Sequence, residues 1–68
     1  HFRANLLLGR ILTLQNQPAA ALPLLRTAAD VDPQSAETQS FLADAFDKAG
    51  NADEAAKARQ RARDLAKR

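Results

Sequence analysis

Apolar-rich stretches along the chain are separated by three polar breaks, Asn16-Gln17-Pro18, Asp30-Val31-Asp32-Pro33 and Ala49-Gly50-Asn51. The stretches between them are roughly 13 to 16 residues long, an ordinary helix length. They are rich in Ala, Leu, Gln, Glu, Lys and Arg and poor in β-branched residues, which favours helix at nearly every position. Pro18 suits the first turn of a helix, where its missing N–H costs nothing. Gly50 suits the left-handed residue that closes one, and Asn51 with Glu54 has the spacing of a capping box opening the next. The pattern predicts an all-α chain of four helices arranged as two antiparallel hairpins. Pro23 lies about one and a half turns inside a helix begun at Pro18, so a late start or a mild kink is expected there rather than a break.

Helical-wheel positions give each helix a different character. In the first, Ala4, Leu8, Ile11 and Leu12 are expected to form an inner stripe flanked by Leu7 and Leu14. Leu6 falls opposite, among Arg3, Arg10 and Thr13. This helix is apolar over most of its circumference and calls for neighbours on more than one side. The third divides more cleanly. Thr38, Leu42, Ala45, Phe46 and Ala49 are expected inside, and Glu37, Ser40, Asp44, Asp47 and Lys48 outside. The fourth has a thin inner face of Ala55, Ala58, Ala62, Leu65 and Ala66, with Lys57, Arg59, Arg61, Arg63, Lys67 and Arg68 around the rest.

Composition narrows the chemistry. Of 68 residues, 46% are hydrophobic, but 16 of those side chains are Ala, so only the ten Leu, three Phe, Ile11 and Val31 supply core volume. A domain this small buries roughly 60% of the surface its unfolded chain exposes, which makes its stability marginal. With no Cys and a single His at position 1, disulfides, thiol chemistry and two-histidine metal sites have no residues to use. No apolar run approaches the ~20 residues of a membrane span, and none has the layout of a signal peptide. The first residue is not Met, as expected of an excised piece. The net charge of +2 is uneven: residues 1–51 balance at −1 and residues 52–68 at +3.

Shifting the sequence against itself by 34 residues brings like onto like. Leu8 falls on Leu42, Gly9 on Ala43, Leu12 on Phe46, Asn16 on Gly50, Ala21 on Ala55, Ala28 on Ala62 and Asp30 on Asp64. Small residues align with small ones, as a helical hairpin requires where its backbones approach and larger side chains interlock on either side. In this pattern the chain resembles the tetratricopeptide repeat family. The first unit reads Leu8-Gly9, Leu12, Ala21, Leu25, Ala28, Pro33, and the second Leu42-Ala43, Phe46, Gly50, Ala55, Ala62. The resemblance covers two units, 2–35 and 36–68, and implies hairpins stacked as an α-solenoid, with these residues packing the repeats.

Two departures are informative. Arg59 stands where the family has a large apolar residue, and Lys67 where Pro would lead into another unit. An unpaired buried guanidinium is costly, so the second unit is expected to be the terminal one of a longer array. The pairs Asp53–Lys57 and Asp64–Arg68 have the favourable i, i+4 order and would support a solvated last helix. The first helix lacks a cap, as if further repeats preceded it.

Candidate catalytic groups are few. Asp44 and Asp47 share a helix face and Asp30 and Asp32 flank a turn, arrangements in which carboxylates are far more often solvated or capping than catalytic. Glu37, Asp44 and Asp47 on one open face do not make an oxygen cage for a metal. Ser35 and Ser40 have no base placed beside them, and the two glycines are too far apart for a phosphate loop. No enzyme activity, cofactor or metal is expected.

The resemblance instead implies a scaffold for protein partners, in which the first helices of successive units line a concave groove for a peptide or helix. That wall would be Arg3, Leu6, Arg10 and Thr13 from unit one and Glu37, Ser40, Asp44 and Asp47 from unit two, with Phe41 and Leu7 at its border. The family's Lys/Asn/Arg clamp for a C-terminal carboxylate is not met, because its places hold Leu6, Arg10 and Phe41. An apolar anchor on Leu6 or Phe41 fits better. Self-association is the other expectation, through the apolar first helix or by exchange of hairpins, because two units are fewer than a solenoid usually needs. Alternatives are a purely structural segment of a larger protein, or weak nucleic-acid binding by the basic last helix. The scattered cations and the lack of a stacking aromatic argue against the latter.

Overall fold

The computed structural model describes residues 1–67. Four helices follow one another: α1 (Phe2–Leu14), α2 (Pro18–Val31), α3 (Ala36–Lys48) and α4 (Ala52–Ala66). The first two pair as one hairpin and the last two as another. α3 is the central element, packed on α4 within its own hairpin and on both helices of the other. The Cα extents are 31 × 28 × 15 Å. The shortest is that of two helix layers, since an interaxial spacing of ~9 Å adds to a Cα cylinder ~4.6 Å across. α1 touches α3 whereas α2 and α4 do not meet, so the α1/α3 layer is on the concave side of the stack.

The halves repeat in their turns as well as their helices. At the end of α1, Asn16 takes φ 62°, and at the end of α3, Gly50 takes φ 84°. Around each, the same two bonds close the helix. The amide of Gln17 donates to the carbonyl of Leu12 at 2.8 Å and that of Asn51 to Phe46 at 2.8 Å. Asn16 donates to Thr13 at 3.0 Å and Gly50 to Asp47 at 3.1 Å. Each set is a Schellman motif: Gly50 is the left-handed residue expected from the sequence, and Asn16 takes the same conformation at the position that aligns with it. Asn is the one common side chain that shares this conformation with Gly.

Other helix ends differ from expectation. Asn51 occupies the N-cap of α4, but its side chain makes no cap bond, so the capping box does not form. Glu54 instead lies 3.6 Å from Lys57, which therefore pairs at i, i+3 and not with Asp53. The Asp64–Arg68 pair lies outside the described residues, and Asp64 accepts from Gln60 at 3.0 Å. The cap that does form is Ser35, whose hydroxyl accepts from the Thr38 amide at 3.2 Å. α2 begins at Pro18 and runs on through Pro23, so its start is not late. Pro23 and Ala19, whose carbonyl loses its helical donor, are both exposed residues.

The core is built from Leu6, Leu25, Leu42 and Phe46 set among Ala21, Ala28, Ala43, Ala45, Ala55 and Ala58. Its closest approach is at Gly9, where a Cβ would lie 2.6 Å from Leu25 Cγ and Cδ2 and 3.5 Å from the Ala21 carbonyl. This contact sets the rotation of α1 and corrects the wheel. Leu6, Gly9 and Thr13 face inward, while Leu7, Leu8, Ile11 and Leu14 lie outside. Leu8, expected in the packing, is exposed. An apolar surround gives a wheel no polar arc to orient it, whereas the one glycine of the helix marks its closest approach to a neighbour. The other expected packing positions (Gly9, Ala21, Leu25, Ala28, Leu42, Ala43, Phe46, Ala55 and Ala62) are buried, with Leu12 partly so. Ala49 and Ala66, expected inside, are exposed.

Candidate protein-interaction site

The facing sides of α1 and α3 are linked by side chains that bridge the layer at intervals along the helices. At one end Arg3 Nη1 lies 3.2 Å from Glu37 Oε1. Further along, the Arg10 guanidinium sits 5.0 Å above the centre of the Phe41 ring, within cation–π range. Residues one or two turns apart share a helix face, so Arg3 and Arg10, like Glu37 and Phe41, are rungs of one ladder.

Beyond Phe41 the helices leave a recess of about 290 Å³ lined by Arg10, Thr13, Leu14, Phe41, Asp44, Asp47 and Lys48. Leu14 is 68% exposed and offers an apolar edge opposite the half-buried Phe41. Asp44 and Asp47 are held from the side by α4. Arg59 Nη2 hydrogen-bonds Asp47 Oδ2 and lies 3.5 Å from Asp44 Oδ1. The Asp47 bond raises the Arg59 pKa above its ordinary value; desolvation opposes this and the Asp44 charge adds to it. The guanidinium therefore stays charged through the whole pH range of a folded protein.

The expected wall is thus only partly realised. Arg3, Arg10, Glu37, Phe41, Asp44 and Asp47 line the α1/α3 side, and Ser40 is exposed. Leu6 is fully buried and belongs to the core, and Thr13 is 3% exposed with its hydroxyl donating to the Gly9 carbonyl at 2.8 Å. Leu6 is thereby withdrawn from the wall, whereas Thr13 still lines the recess with its hydroxyl turned back to its own helix. The residues that sequence reasoning did not place in the recess are Leu14 and Lys48. Each stands one turn beyond an expected wall residue, Arg10 and Asp44, and that spacing was the available signal.

The cations of α4 are largely engaged within the fold. Arg59 holds the two aspartates, Arg61 Nε donates to Gln39 Oε1 at 3.0 Å, Arg63 donates to Gln60 at 2.9 Å and Lys57 faces Glu54. Among the described residues no three His, Cys, Asp or Glu side chains are grouped to hold a metal ion, and no helix is long and apolar enough to cross a membrane.

Paired helical hairpins with matching left-handed turns 34 residues apart define a helical repeat protein of the α-solenoid class. A family profile described as "Tetratricopeptide repeat" matches residues 12–67, and the chain belongs to that family. The family is a non-enzymatic scaffold repeat that generally mediates protein–protein interactions. No curated protein and no solved structure gives a significant match.

Proposed function

We propose that this chain is a protein-interaction scaffold without catalytic activity, built of repeat units 2–35 and 36–68, that receives a peptide or helix along the α1/α3 side. The observation that supports this best is the recess between Leu14 and Phe41, an apolar gap bordered by Arg10, Lys48 and the Asp44/Asp47 pair. An apolar side chain inserted there would be the anchor, and the charges on either side would fix its direction. Leu6, in the core, takes no part. The basic last helix is not the site in this reading, because its arginines are tied to Gln39, Gln60 and the two aspartates.

Selection from a displayed random-peptide library with the wild-type chain as bait tests it. Enriched peptides should carry a large apolar residue beside a charged one. They should lose ~10-fold or more in affinity for a Phe41→Ser chain, the scale of an anchor contact, and keep it for Ala56→Ser on the exposed side of α4. No enrichment, or equal binding to wild type and Phe41→Ser, would reject the site.

A further inference from the structure

Along the outer side of α1, Ala4, Leu7, Leu8 and Ile11 lie exposed side by side, with Leu8 48% and Ile11 49% accessible. Ala4, Leu7 and Ile11 follow the 3-4 spacing of a helix–helix seam. The molecule itself shows what covers such a strip. At the equivalent places 34 residues on, Leu42 is 4% and Ala45 0% exposed, on a helix that packs against both helices of the first hairpin as well as α4. Thr38 is buried there too, and Phe41 half-buried. Equivalent positions differ in cover and not in character.

The opposite end of the stack has the reverse character. Leu6, Thr13 and Leu25 lie on the side of the first hairpin that the second one covers. Their counterparts are the exposed Ser40, Asp47 and the partly exposed Arg59. Arg59 bridges Asp44 and Asp47 across α3 and α4. Seating one copy's apolar strip on this end of another would strip water from three paired charges and return no new polar partner. Head-to-tail growth is thereby disfavoured, and a strip meeting its own copy is the match that buries apolar surface on both sides. The neighbouring cations do not oppose it, since Arg3 is held by Glu37 and Arg10 lies on Phe41.

We propose that the partner for the outer face of α1 is a second copy of this chain, presenting the same face in a two-fold dimer that goes no further. Such an interface is isologous and closes at two. α1 is ~20 Å long, and one helix pair of that length falls short of the ~1,200 Å² that stable interfaces bury. The dimer is therefore weak and concentration-dependent. None of Ala4, Leu7, Leu8 and Ile11 lines the recess, so the two proposals rest on different residues.

Sedimentation of the 68-residue chain from about 5 µM to about 500 µM, a range chosen for a weak interface, should show a monomer–dimer equilibrium with no larger species. Ile11→Ser, on a half-exposed position, should raise the dissociation constant ~10-fold with helix content by circular dichroism unchanged. The chain has no Cys, so single-cysteine variants report position directly. Leu7→Cys should form a disulfide-linked dimer on oxidation and Ser40→Cys should not. A monomer at every concentration would overturn the proposal. So would an open series of larger oligomers, a dimer that Ile11→Ser leaves intact, or crosslinking through Ser40→Cys in place of Leu7→Cys.

Discussion

Two glycines are required for different reasons, and substitution separates them. At Gly9 the backbone is helical and space is the limit. An added Cβ meets Leu25 Cγ at 2.6 Å, and Leu25 is fully buried with nowhere to retreat. Gly9→Ala gains up to ~1 kcal/mol of helix propensity but overpacks the core at ~1–3 kcal/mol. Chemical denaturation should therefore show net destabilisation, although Gly→Ala in an open helix stabilises. At Gly50 there is ample space, since a Cβ would meet nothing within 4 Å, and conformation is the limit at φ 84°. Gly50→Ala should cost ~1–2 kcal/mol through the left-handed backbone alone, with the equilibrium m-value unchanged. Asn16, at φ 62°, is the matched control: Asn16→Gly should be close to neutral by the same measurement.

At the scale of elements, the helix ends show which local signals decide and which only permit. Ser35 carries no charge and belongs to no spaced motif, yet its hydroxyl takes the Thr38 amide. Ser35→Ala should cost ~1 kcal/mol, measured by thermal unfolding, whereas Asn51→Ala should cost less because its side chain makes no cap bond. The capping-box spacing Asn51/Glu54 is legible in the sequence but not sufficient, since Glu54 has Lys57 within reach and takes it. The four helices, their breaks and the left-handed turn at Gly50 are readable from Pro18, Asn16 and Gly50. The rotation of α1 is not. With Leu at 6, 7, 8, 12 and 14 and Ile at 11, hydrophobicity points nowhere, and only the alignment of Gly9 with Ala43 marks the close-packed side. For that reason a wheel sets Leu6 in the groove when it belongs to the core. Phe41, Asp44 and Asp47 lie on the α1/α3 side, and the polar arc of α3 is the signal that orients that helix.

For the whole molecule, the two ends of the stack are not equivalent, and three residues account for most of the difference. The buried Leu6, Thr13 and Leu25 make the first hairpin able to receive a neighbour; Ser40, Asp47 and Arg59 are what the second hairpin has instead. If those residues are what stops growth, converting them to the first unit's identities should remove the stop. The variant Ser40→Leu/Asp47→Thr/Arg59→Leu breaks the Arg59 pairs, which as solvated surface ion pairs add little to stability. The fold should therefore survive and circular dichroism should remain helical. Its end face would then be able to seat the Ala4–Leu7–Leu8–Ile11 strip of another copy, a heterologous contact that repeats without closing. Sedimentation should show species beyond the dimer that increase with concentration. Adding Ile11→Ser to the same variant should suppress them, because it removes the other half of the joint. A triple variant that stays monomeric or dimeric would mean that the limit to stacking lies in the shape of the α3/α4 end and not in its charge.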